Sequence, residues 1–238
     1  MKSKLTNKTM LAHSSNYTKG RKGYKICKIT PHHMSGVLSG SQCAKIFQNS
    51  KRNASANYCI GVNGDIVCSV EEENRAWTSS SSWNDCQAIT IEVSNSKNSG
   101  NYPISNASWK SLIKLCVDIC KRYKFKLKYD GTKNGSLTRH NMYANTDCPG
   151  KYLQSKFPEL VKEVNKQLEN KKDTSTVSKK KTLKQDCVLY SNKDLTGTKY
   201  TYLKNTTVKI LKNISSKIDY VQVIETGRKA YINTKYYK

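Results

Sequence analysis

His140 and Cys148 stand eight positions apart in LTRHNMYANTDCPG (residues 137–150), in a chain with only four histidines. Imidazole and thiolate are ligands that zinc favours, and a third protein ligand would leave one coordination position for water. Ligands on adjacent helical turns would be spaced by three or four. The intervening Asn141-Met142-Tyr143-Ala144-Asn145 has no helical or alternating apolar period, so it reads as a loop that folds back on itself. For the third ligand, His13 sits in a polar segment beside Ser14-Ser15-Asn16 and reads as solvated. His32 and His33 follow the strand candidate KICKIT (25–30). Neighbouring strand residues point to opposite faces, so only one of the pair is expected to join the site. His32 is the better candidate, and His33 reads as an ordinary surface or core histidine.

Zinc in such a site lowers the pKa of its water to about 7, and a base must take the proton. Glu92 is the candidate. In CQAITIEVS (86–94) it shares one strand face with Thr90, while Ile89, Ile91 and Val93 share the other. Its plainer reading is a half-exposed strand carboxylate. Glu71-Glu72-Glu73 reads as a solvated edge at the end of a hairpin.

These residues need a scaffold. SQCAKIFQNS (41–50) predicts a short helix capped by Ser41. ANYCIGVNGDIVCSV predicts a hairpin with a type I′ turn at Asn63-Gly64. SWKSLIKLCVDICKRY (108–123) carries apolar residues at 109, 112, 113, 116, 119, 120 and 123, a strong amphipathic helix. Cys116 and Cys120, one turn apart among apolar neighbours, read as core. FKLKY (125–129) predicts a strand, and Pro158 opens the helix PELVKEVNKQLE. The alternation implies an α/β domain with a mixed central sheet flanked by helices, over residues 1–170. Residues 171–184 are polar and charged and read as a linker. Within 185–238, CVLYS, KYTYL, TVKIL, YVQVI and KAYIN predict a small all-β barrel.

The chain has 238 residues and a formal charge of +25, with 42 basic and 17 acidic side chains. That charge implies a polyanionic partner. It is spread through the chain, with 26 basic and 12 acidic residues in 1–170 and 16 and 5 thereafter. No basic helix or aromatic RNA-binding motif accompanies it, so nucleic acid is not the expected partner. No apolar run has signal or membrane-spanning length, which implies synthesis in the cytosol and no stable membrane association. Nine irregularly spaced cysteines do not make a disulfide framework.

Taken in order, PHHMSG, SANYCIGVNGDIVCSV, ENRAW, AITIEV and H-x7-CPG resemble the type-2 zinc-dependent N-acetylmuramoyl-L-alanine amidases. That class includes amidase-type phage lysozymes and peptidoglycan recognition proteins, and the resemblance spans about residues 20–168. It implies zinc on His32, His140 and Cys148, Glu92 as general base, and Thr146 against the substrate carbonyl. Two departures stand out: Asn57 replaces a frequent histidine, and Ala56 replaces a tyrosine that some relatives use. The first leaves Asn57 as a candidate hydrogen-bond partner for substrate, or a lining residue of the hairpin. The second puts more weight on Glu92. Trp77 is a candidate for contact with glycan or stem peptide, or a core residue. The tail resembles bacterial SH3-like wall-binding domains. Together these imply a peptidoglycan hydrolase of endolysin or autolysin build, made in the cytosol and reaching the wall once a membrane pore opens. The rival is a non-catalytic recognition protein, which Cys148 argues against. Oligomeric state, host and wall ligand are not legible.

Overall fold

The computed structural model describes residues 2–169 and 180–237. The chain divides into two compact units, Met1–Leu168 and Glu169–Lys238. The first contains β1 (Lys8–Thr9), β2 (Tyr17–Thr18), β3 (Lys28–His33), α1 (Gly40–Phe47), β4 (Tyr58–Ile60), β5 (Ile66–Cys68), β6 (Arg75–Ala76), α2 (Ser82–Gln87), β7 (Ala88–Val93), α3 (Asn106–Tyr123), α4 (Lys151–Ser155) and α5 (Phe157–Glu169). Its main sheet has the order β1-β5-β4-β7-β3, with β4 and β5 antiparallel and the other pairs parallel.

Parallel strands covered on both faces need apolar residues on both. Ile89, Ile91 and Val93 of β7 pack with Ile29, Ile60 and the buried faces of α3 and α5. Cys59 and Val67 pack on the other side with Cys43, Ala44 and Phe47 of α1. Glu92 pairs with Cys59 and His32, so it belongs to the α1 side. Cys116 and Cys120 lie in the α3 core, and none of the nine cysteines is paired.

Several local expectations change. The strand expected at 25–30 runs from Lys28 to His33, because it pairs residue for residue with β7 from Lys28↔Ala88 to His33↔Val93. Ser39, and not Ser41, caps α1: its hydroxyl accepts from the Gln42 N–H, and the Gln42 side chain accepts from the Ser39 N–H. The β4–β5 hairpin turns through residues 61–65 with Ile60 opposite Ile66, so it is no two-residue turn. Gly64 has φ +85° there, and a Cβ would lie 2.9 Å from the Ala107 carbonyl oxygen. Residues 125–129 form no strand. The Asn165 side chain instead holds Leu127 at both its N–H and its carbonyl, at 3.1 and 2.9 Å.

Glu72 is the largest departure. It is fully buried, accepting hydrogen bonds from Tyr58 Oη (2.5 Å), Tyr123 Oη (2.7 Å) and both terminal nitrogens of Arg122. Only Glu71 and Glu73 fit a hairpin edge, since charge is buried only where partners answer it.

The second unit holds β8 (Lys180–Thr182), β9 (Cys187–Tyr190), β10 (Lys199–Tyr202), β11 (Thr207–Asn213), β12 (Ile218–Val223) and β13 (Lys229–Asn233). They form one antiparallel sheet in the order β10-β9-β13-β12-β11-β8. Alternate residues, among them Leu189, Val208, Val221, Val223 and Ile232, build its own core. The expected linker ends early: β8 is part of this sheet and Leu183 part of its core, and 171–179 lie outside the described residues. No described helix is long and apolar enough to cross a membrane.

Candidate metal centre and active-site groove

Two neighbouring segments place the histidines. Beside β3 runs 136–138: Ile29 N–H donates to the Ser136 carbonyl and Thr138 N–H to the Ile29 carbonyl, at 2.8 and 3.0 Å. Ile29 and Leu137 form a parallel bridge, and the hydroxyls of Thr30 and Thr138 meet at 2.8 Å. Two residues beyond each threonine stand His32 and His140, with ring centroids 4.9 Å apart. The chain then makes a short 3-10 turn at His140–Met142. Asn141 N–H donates to the Cys148 carbonyl at 3.0 Å, which closes the expected loop. The Cys148 sulfur comes to 3.3 Å from His32 Nδ1.

His32, His140 and Cys148 offer donor atoms that all lie within 4.8 Å of one another. Burial, with His140 and His33 adding, holds His32 well below its usual pKa, and burial lowers His140 too. Both are thus neutral near pH 7 with a nitrogen lone pair to give. Burial, then the Glu92 carboxylate, pushes the Cys148 thiol up. A metal cation reverses that, because a coordinated thiol is deprotonated. Two imidazoles and one thiolate are a donor set suited to zinc. The Ser80 hydroxyl lies 3.3 Å from His140 Nε2, a contact of the kind that fixes a ligand's tautomer. Sequence reasoning missed Ser80. It is held through Asp85, whose carboxylate accepts from the N–H groups of Thr78 and Ser79 and from the Ser79 hydroxyl at 2.6 Å.

The cluster lines a groove of about 900 Å³, together with Glu92, Thr146, Trp77, His33, Ser80, Arg52 and Arg75. Glu92 is half-buried as a residue, but its Oε2 is covered and has no hydrogen-bond partner. Burial raises its pKa to about 8, against a smaller lowering by Arg52. Nothing in the residues flanking Arg52 marks it out in sequence. Thr146 Oγ1 accepts from the Cys148 N–H at 3.2 Å, leaving its own proton to donate elsewhere. Trp77 is half-buried, with its indole N–H on Thr18 Oγ1 at 2.8 Å. Asn57 stays out of the groove. It is fully buried, its Oδ1 accepting from Thr90 N–H and its Nδ2 donating to the Val70 carbonyl. No atom of Asn57 is open to a substrate, which corrects its candidacy. His13 is exposed, as read.

No curated protein sequence matches the chain. Among solved structures, PlyL is similar with a TM-score of 0.54 at 15% identity, covering 66% of this chain and 95% of that one. A mutant endolysin from Bacillus subtilis gives 0.50 at 15%, covering 67% and 99%. A selenomethionine AmpD derivative gives 0.51 at 18%, covering 67% and 96%. At such identities the likeness establishes the fold. The family model described as N-acetylmuramoyl-L-alanine amidase matches residues 22–151, over half the chain and through all three members of the cluster. This chain belongs to the N-acetylmuramoyl-L-alanine amidase family.

Proposed function

We propose that the first unit hydrolyses the amide between the lactyl group of N-acetylmuramic acid and the L-alanine of the stem peptide, with zinc held by His32, His140 and Cys148. The observation that carries this reading is the meeting of three zinc-type donors beside an unpartnered carboxylate, Glu92, in one groove. Zinc bound there supplies an acidified water and polarises the scissile carbonyl. Glu92 takes the proton that water loses in attack and later gives it to the departing amine. Its partial burial suits both steps, since a carboxyl poised near neutrality can accept and release a proton. The Thr146 hydroxyl donates to the carbonyl oxygen as charge grows there, and Trp77 offers a flat face to a sugar or peptide.

The second unit, read as an SH3-like barrel, holds the enzyme on the wall, and the likeness of the first unit to endolysin folds supports a lytic enzyme of that build. Mass spectrometry of digested walls tests the reaction. New L-alanine amino termini, with intact glycan and intact peptide bonds, are expected. Products cut in the glycan or within the stem peptide would overturn the assignment.

A further inference from the structure

The second unit carries a ladder that sequence spacing alone does not reveal. Register pairs Tyr220 with Tyr231 across β12 and β13, and Tyr231 with Tyr190 across β13 and β9. Cross-strand partners share a face, and these alternate with the core residues Val221, Ile232 and Leu189, so all three rings stand on the outer side. Tyr220 and Tyr231 meet at 4.7 Å between ring centroids. The row continues at both ends into lysine: Lys212 opposite Tyr220 and Lys199 opposite Tyr190, both exposed. With strands about 4.8 Å apart, the five-strand row spans about 19 Å.

A second row on the same face reads Lys180–Lys209–Gln222–Lys229. Lys180 and Lys209 are direct cross-strand partners, a like-charge pairing that costs stability unless an anion answers it. No carboxylate occupies a paired position on this face among the described residues.

We propose that this outer face is a docking surface for a wall glycopolymer whose sugar rings are linked by phosphodiesters. This rests on reading the second unit as a wall-binding module. The tyrosine strip offers apolar area to the C–H faces of sugars and hydroxyls to their rims. Lysines at both ends match negative charge that recurs along the polymer itself, and a lysine ammonium binds phosphate as a point charge. A peptide ligand fits worse, because β9, β12 and β13 are paired on both sides and leave few free backbone groups.

The test uses the full-length protein, chelated to stop digestion, in sedimentation with purified walls. Tyr231→Thr and the double variant Lys199→Gln/Lys212→Gln should each weaken binding at least tenfold. Tyr231→Phe, which keeps the ring and loses one rim hydroxyl, should bind more weakly than wild type but well above Tyr231→Thr, and Lys110→Gln/Lys114→Gln on the exposed face of α3 should bind as wild type. Hydrolysis of a soluble muramyl-peptide by the zinc-loaded forms should be unchanged throughout. On walls stripped of phosphodiester polymers with hydrofluoric acid, wild type should fall to the level of Tyr231→Thr on intact walls. Undiminished binding to stripped walls would overturn the ligand. Wild-type binding by both the tyrosine and the lysine variants would overturn the face. Should Tyr231→Thr unfold the second unit, the lysine pair decides. Failure of wild type itself to sediment would overturn the wall-binding reading beneath the proposal, while leaving the hydrolysis of soluble substrate intact.

Discussion

Replacing Glu72 by alanine tests the buried network that ties β4 to the end of α3. The change removes acceptors from Tyr58, Tyr123 and Arg122 at once. Breaking a buried ion pair by deleting one partner typically costs about 3–5 kcal/mol. Arg122 is 24% exposed and keeps Asp118 at 2.8 Å, so its charge is not stranded and this part falls near the lower figure. Tyr58 is fully buried, and its hydroxyl proton would lose its acceptor, adding about 1–3 kcal/mol. Glu72→Ala should therefore destabilise the first unit by roughly 4–6 kcal/mol. Glu72→Gln, which keeps one acceptor and the packing, should cost less. Two units make a single transition unsafe to assume. The chain's three tryptophans, Trp77, Trp83 and Trp109, all lie in the first unit, so denaturant unfolding followed by tryptophan fluorescence reports that unit alone. Free zinc must be fixed across variants, since a ligand of the folded state adds stability. A Glu72→Ala protein within 1 kcal/mol of wild type would refute the reasoning and return Glu72 to a solvated edge.

Three further outcomes follow from the site and one from the separate cores of the two units. Cys148→Ala should lose zinc retention and activity together, read by metal analysis and wall lysis; full activity in rigorously metal-free wild type would sink the mechanism. Glu92→Gln should keep zinc and fold while turnover falls by about 10²–10⁴-fold, and near-normal turnover would demand another base. In chelated protein the same variant should change the pH dependence of stability. The raised Glu92 pKa of about 8 makes its contribution full below the ordinary value of 4.5 and progressively lost up to pH 8. Wild-type stability minus that of Glu92→Gln should thus fall with pH by at most about 1.4 kcal/mol per unit across that window; a flat difference would refute the burial argument. Residues 1–170 alone should hydrolyse a soluble muramyl-peptide at the full-length rate but lyse cells more slowly, because each unit has its own core.

Elements whose signal lies in contiguous residues were legible. The α3 period, the apolar β7 run and the β-rich tail each carry their burial pattern locally and each forms, although the strand expected over 86–94 is confined to Ala88–Val93 because Ser82–Gln87 is helical. What failed depended on partners distant in sequence. Three consecutive glutamates look solvated until Arg122, 50 positions on, is seen to meet the middle one. FKLKY looks like a strand until Asn165 takes its central backbone groups. Asn57 invited a substrate role because of its place in a motif, yet Thr90 and Val70 claim its side chain.

The candidate site divides along the same line. Donor types were visible in the chain, because few residues offer nitrogen or sulfur to a metal. Their convergence was not visible, because it arises from pairing between segments about 108 positions apart: backbone hydrogen bonds of Ile29 with Ser136 and Thr138, with the Thr30–Thr138 hydroxyl contact beside them, set the two in step. Once they are in step, advancing two residues along each brings a histidine forward on the same side, and the 141–148 closure swings the cysteine back to them. Glu92 then needs no recruitment of its own: strand register alone sets it beside His32. The same strand position leaves its Oε2 covered and without a hydrogen-bond partner from the protein, inside the groove that the three donors line. That placement is what the proposed proton transfer needs, and Glu92→Gln is the substitution that tests it.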